Sequence, residues 1–189
     1  MEQPLVLLGS LLLVSFCSGH DFCRENNCPN FTSVEKTNDY EERLYEATDW
    51  ITTEVEHNNL FAAHLKLKDY CQRQKEAGYT LPVDTWPVLI TENTNGNYLS
   101  WFVPSGTRKP ETPDALVTLQ TRPAGTVYVR LFGGTPSLEK GEENKASLRK
   151  ALDEAGKEYD HNSYSGAGYE PFLNPIHHNE IWINAANIN

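Results

Sequence analysis

Two stretches of helical period, each closed by a glycine, are set among strand-forming runs, and this alternation limits the fold more than any other feature of the chain. In the first, Asn58-Asn59 offers an N-cap. Leu60, His64, Leu67 and Cys71 recur at i, i+4, i+7 and i+11, widened by Phe61 and Tyr70, and Gly78 stops the run. In the second, Thr135 caps and Pro136 takes the first helical position; Leu148, Ala151, Leu152 and Ala155 form the stripe, and Gly156 ends it. Aromatic and β-branched runs at Tyr40–Tyr45 and Trp50–Val55, with a turn expected at Thr48-Asp49, precede the first helix as two adjacent strands. Trp86–Ile90 and Tyr98–Val103 follow it, joined by a hairpin turn around Asn95-Gly96. After a Pro-punctuated seam at Ser105–Asp114, the order repeats: Thr126–Phe132, the second helix, then Tyr164–Tyr169 and Glu180–Asn184. One helix per half cannot cover both faces of its strands. The halves are therefore expected to share one α+β sheet that curls toward a barrel.

The N-terminus reads as an address. Pro4–Phe16 is an apolar run of 13 residues, shorter than the roughly 20 a membrane-spanning helix needs. Cys17-Ser18-Gly19 follows with the small residues that signal peptidase accepts, although Glu2 stands where a positive n-region is usual. Residues 1–19 are expected to be a signal peptide, 20–38 an extended or loosely held arm, and 39–189 the domain. No second apolar stretch approaches membrane length, so no membrane span is expected and the product is expected to be secreted. Asn30-Phe31-Thr32 is a glycosylation sequon among turn-forming neighbours. Cleavage leaves Cys23, Cys28 and Cys71, hence three possible pairs. Cys71 lies on the apolar helix stripe and is expected to be a buried small hydrophobe, which favours a Cys23–Cys28 disulfide.

Acidic residues outnumber basic ones by 26 to 16, for a formal charge of -10. A sequence-independent nucleic-acid binder needs a net cationic face, so that class is set aside. Enzyme motifs are also missing: the chain has no G-x-S-x-G, H-E-x-x-H, P-loop or G-x-G-x-x-G, and no carboxylate pair stands out. Gly133-Gly134 before the second helix lacks a following Lys and reads as a strand-to-helix turn.

Several segments resemble the SOUL haem-binding protein family. They are Tyr40-x-x-Arg43-x-Tyr45 with Trp50, Asp69-Tyr70, Thr85-Trp86-Pro87-Val88, VYVRxFGG at 127–134, LRxAL at 148–152, AGYEPF at 167–172 and NEIW at 179–182. They span Tyr40 to Asn184 in the family's order. The resemblance implies a single domain, a distorted antiparallel β-barrel from two similar strand–helix–strand–strand halves flanked by two long helices. It also implies binding of haem or a related tetrapyrrole, and with the enzyme motifs missing no enzymatic activity is expected. Asp84 stands where family members commonly carry Met, and the chain's single Met, Met1, leaves with the signal.

A haem site needs an apolar slot, cations for two propionates and, optionally, an axial ligand. Composition excludes axial Met, and the absence of C-x-x-C-H excludes covalent attachment. The expected site lies along the first helix. Leu60, Leu67 and Tyr70 supply apolar surface there, Lys68, Arg73 and Lys75 hold carboxylates, and His64 is the candidate axial metal ligand. Each has a plainer reading, His64 as a hydrogen-bonded core residue and the cations as a solvated face. His177-His178-Asn179-Glu180 offers too few ligands on one strand face for zinc and reads as structural, as does Arg130. The alternative function is an extracellular protein-interaction module that keeps the fold without haem.

Overall fold

A computed structural model describes residues 23, 28–81, 83, 85–171 and 174–186. The expected signal peptide and Asp84 lie outside them. The elements in order are β1 Phe31–Lys36, β2 Glu41–Tyr45, β3 Thr48–Glu54, α1 Leu60–Glu76, β4 Val88–Asn93 and β5 Gly96–Val103. The second half continues with β6 Thr118–Arg122, β7 Gly125–Gly133, α2 Leu138–Glu154, β8 Tyr164–Gly168 and β9 His178–Asn184. All nine strands form one sheet in the order β1-β2-β7-β9-β8-β4-β5-β3-β6, and every neighbouring pair is antiparallel.

Apart from β1, that order is its own mirror about the β8–β4 pair. Exchanging β2 with β6, β3 with β7, β4 with β8 and β5 with β9 reproduces it. The duplication read from sequence is therefore real, but each half contains two strands before its helix. The extra one in the second half is β6, which falls between the expected loop at Ser105–Asp114 and the expected strand at Thr126–Phe132, in a stretch to which the sequence reading gave no element. The seam at Ser105–Asp114 lies where the halves meet, between β5 and β6.

Three other expectations are corrected. The runs at 40–45 and 50–55 follow each other in sequence but do not pair; β2 lies between β1 and β7, and β3 between β5 and β6. Thr48-Asp49 is not a turn, because both residues are paired to β6 at Arg122 and Thr121 and so extend β3. The arm over 20–38 contributes β1, an edge strand hydrogen-bonded to β2.

Helix boundaries follow their caps. The Asn59 side chain accepts from the Ala62 N–H at 3.0 Å, and Gly78 beyond the last turn has φ +88°, the left-handed conformation glycine adopts without steric cost. α2 begins after Ser137, whose hydroxyl accepts from the Lys140 N–H at 3.2 Å. The expected Thr135-Pro136 start is two residues early because Ser137 is the residue that caps.

The helices cover one face of the curl, α1 on β3 and β5, α2 on β7 and β9. Leu67 and Tyr70 of α1 pack there on Ile51, Leu99 and Trp101. Leu148 and Leu152 of α2 pack on Tyr128, Ile181 and Ile183. The alternate residues of the same strands turn to the concave face, where Trp50, Phe102, Val129 and Trp182 pack together with Leu89 of β4. Cys23 and Cys28 form the expected disulfide and pack against that inner cluster.

Candidate functional site: a groove beside the first helix

The stripe that α1 buries is Ala63, Leu67, Tyr70 and Cys71. It is displaced around the helix from the Leu60–His64–Leu67–Cys71 line read from sequence, toward Ala63 and Tyr70. That rotation decides where each expected site residue falls. Leu67 and Tyr70 are 0% and 3% exposed and belong to the core under the helix. They offer no surface to a ligand. Leu60 is moved to the helix start and is 38% exposed. His64 sits at the margin, its ring edge-on to Trp101 with centroids 5.1 Å apart.

Outside the core, the C-terminal half of α1 and the segment after it enclose a groove of about 510 Å³, within the range of small-molecule sites. Leu65, Leu81 and Val83 give it an apolar floor, and Lys68, Gln72 and Lys75 rim it. Cys71, buried in the core, also borders it. Phe61, 71% exposed and one turn before Leu65, extends the apolar strip along the helix. Lys68 and Lys75 are two turns apart on one face, about 10 Å along the axis.

Charge pairing separates the cations of this helix. Lys66 bonds Glu56 at 2.8 Å, and Arg73 is held by Asp69 at 2.9 Å and Asp114 at 2.6 Å. Hydrogen bonds from Arg73, on balance against burial, hold the Asp114 carboxyl below its ordinary range. Arg73 is therefore occupied elsewhere and does not line the groove. Lys68 and Lys75 have no ion pair among the described residues, and both line it. Of the seven residues expected from sequence, these two meet at the groove; His64 and Leu60 do not line it.

Sequence reasoning missed Leu65, Leu81 and Val83. Leu65 lies off the helical stripe, and the other two come from an aperiodic segment after Gly78, so no local signal marks them.

A second arrangement lies on the concave face. Glu180 is 0% exposed and accepts from Arg43 at 3.0 Å, Tyr169 at 2.9 Å and the Trp182 indole at 2.6 Å, with His178 Nε2 at 2.8 Å. Arg43 also bonds Glu41 through Nε at 2.9 Å and Nη2 at 2.7 Å. Burial pushes the Glu180 carboxyl up, but His178, Arg43 and Trp182 outweigh it and hold the group below its ordinary value. Burial raises Tyr169 well above the ordinary phenol range. The NEIW segment thus carries a buried carboxylate bonded on several sides. No group of three or more metal-ligating side chains occurs among the described residues. Arg130 donates to the Asp39 carbonyl at 2.9 Å and to Asn144 at 3.2 Å, tying β7 to α2.

Among curated relatives, heme-binding protein 2 of Homo sapiens is 28% identical over 157 residues, covering 76% of this chain and 77% of that protein. The Mus musculus protein of the same name is 30% identical over 158 residues, with the same shares covered. A solved structure of SAV2435 bound to tetraphenylphosphonium aligns over 79% of this chain and 94% of its own at 10% identity. Its TM-score of 0.43 is too low to carry an argument. The family model described as SOUL heme-binding protein matches residues 26–184. Matched over nearly the whole described fold, the chain belongs to the SOUL haem-binding protein family.

Proposed function

We propose that this protein is a secreted, non-enzymatic binder of haem or a related tetrapyrrole, held non-covalently in the α1 groove. The observation that carries the reading is the pairing of an apolar floor, Leu65, Leu81 and Val83, with two lysines, Lys68 and Lys75, that have no ion pair among the described residues. A planar ring with two carboxylates needs that combination: apolar contact for the macrocycle and cations for the propionates. The residues at the groove therefore fit the group. Bound haem would supply an iron centre; the chain supplies contact, charge and shielding from water. The His64 imidazole, packed on Trp101, is not assigned to the iron.

Secretion is supported by the N-terminal apolar run, the Cys23–Cys28 disulfide and the exposed Asn30 of the sequon. Export predicts a product beginning at His20 and carrying a glycan on Asn30, read by N-terminal sequencing and glycosidase digestion.

Haemin titrated into the purified protein should give a saturable Soret shift. Lys68→Ala with Lys75→Ala should weaken binding by about 1–2 kcal/mol, since exposed ion pairs contribute up to about 1 kcal/mol each. A spectrum equal to that of the denatured chain would overturn the reading and leave the interaction module in its place.

A further inference from the structure

A second hollow, of about 200 Å³, lies beside Cys28, where the arm enters β1. Three segments close around it: the arm at 28–30, the β2–β3 connection with the start of β3 at 46–49, and the end of β5 with Pro104 and Ser105. It is smaller than the roughly 300 Å³ at which sites for drug-sized ligands begin, and matches the scale of one sugar residue.

Asn30, the acceptor of the sequon, lines this hollow and is exposed. Its carbonyl accepts from the Glu46 N–H at 3.2 Å, and its Nδ2 donates to the Glu46 carboxylate at 3.4 Å. Glu46 is itself exposed and forms no ion pair among the described residues. The neighbouring Asp49 carboxylate is taken by Lys109 at 2.5 Å and by the Thr121 hydroxyl at 2.6 Å. The Thr48 hydroxyl accepts from the Trp50 indole at 2.9 Å, which leaves its own O–H to donate. Phe102 and Pro104 add apolar wall. One acceptor, one donor and an aromatic ring therefore surround a space that Asn30 itself borders.

We propose that this hollow seats the first N-acetylglucosamine of a glycan on Asn30, and that the docked sugar pins the arm to the β2–β3 connection and the end of β5. This role rests on the exported, glycosylated form proposed above. Glycosylation joins the anomeric carbon of an oligosaccharyl diphosphate to Asn30 Nδ2; the diphosphate leaves and the nitrogen gives up one of its two protons. The proton that stays can still donate toward Glu46. A pyranose offers C–H groups to the Phe102 ring, hydroxyls to donate to Glu46 and an acetamide oxygen to accept from Thr48. The covalent tether holds the sugar at the hollow at high local concentration, so weak contacts suffice.

The full chain is expressed in eukaryotic cells, and three forms are compared. One keeps its whole glycan, and one is trimmed by an endoglycosidase to a single N-acetylglucosamine. The third is Thr32→Val, which abolishes the sequon at an exposed position and leaves Asn30 in place; parent chain made without glycosylation controls for the valine itself. Thermal unfolding should place the single-sugar form with the intact one, and the unglycosylated forms about 2–4 °C lower. The acetamide methyl of the single sugar should show NOEs to the Phe102 ring, and Glu46→Ala should shrink the difference in Tm between glycosylated and unglycosylated protein. A glycan on Asn30 with no contact between that methyl and Phe102, a single-sugar form that melts with the unglycosylated ones, or a difference untouched by Glu46→Ala would overturn the docking and leave export standing. Asn30 without a glycan would overturn both.

Discussion

Replacing Arg43 with Met should destabilise the protein severely and in a pH-dependent way. The Arg43 side chain is 1% exposed and lies between Glu180 at 0% and Glu41 at 9%. Removing it leaves two buried carboxylates without their cation, the case in which breaking a buried pair costs about 3–5 kcal/mol. Tyr169, Trp182 and His178 still contact Glu180, so the lower half of that range is expected. For a domain of this size, about 3 kcal/mol lowers Tm by roughly 6–12 °C. In the parent protein the Glu180 carboxyl is held below its unfolded value. That stability is present above the unfolded pKa and is lost as pH falls through the folded one. Without Arg43 one of the groups that hold the Glu180 carboxyl down against burial is gone, so its folded pKa moves up from its lowered position. The deficit of Arg43→Met should therefore be largest near neutral pH and shrink as pH falls through the carboxylate range, because protonation relieves the buried charge. Urea denaturation followed by Trp fluorescence at pH 7 and near the carboxylate range measures both terms. A deficit under about 1 kcal/mol, or one independent of pH, would refute the reasoning, since an exposed pair would behave that way.

Other residues give smaller, separable effects. Leu67→Ala should cost about 2–5 kcal/mol in denaturation while leaving haemin affinity per folded molecule unchanged, because Leu67 is core. Leu65→Ala should do the reverse, shifting stability by no more than about 0.5 kcal/mol while weakening the Soret titration. His64→Ala should leave the position of the Soret maximum where it is; a displaced maximum would make His64 an iron ligand. Replacing Cys23 and Cys28 with Ser opens a loop of sequence separation 5 and should lower stability by about 2 kcal/mol on the chain-entropy account, measured under non-reducing conditions.

The duplicated plan was legible because each helix carries its own period and its own stop signal. The curl followed from counting faces that one helix per half cannot cover. β1 and β6 were not legible, since both are edge strands with mostly exposed residues and neither shows the alternation that marks a half-buried strand. The α1 stripe was read slightly out of phase because His64 and Leu60 fit the arithmetic as well as Ala63 and Tyr70; only the angle at which the helix settles on β3 and β5 decides which of them is buried. Lys68 and Lys75 were found by charge, but the loss of Arg73 to Asp114, 41 positions away, is a tertiary event. The same holds for Arg43 and Glu180, separated by 137 positions: each belongs to a recognisable motif, and only the fold brings them together.

Among the described residues the sheet is left unclosed with two unpaired rims, β1 and β6, and each is guarded against accretion of further strands. On one side, Glu35 and Lys36 end β1 after a register shift between Ser33 and Glu35, so an incoming strand meets charge and a broken ladder. On the other, β6 is five residues long and is followed at once by Pro123, which has no N–H to offer. The barrel can thus stay open along one seam without inviting growth into fibrils.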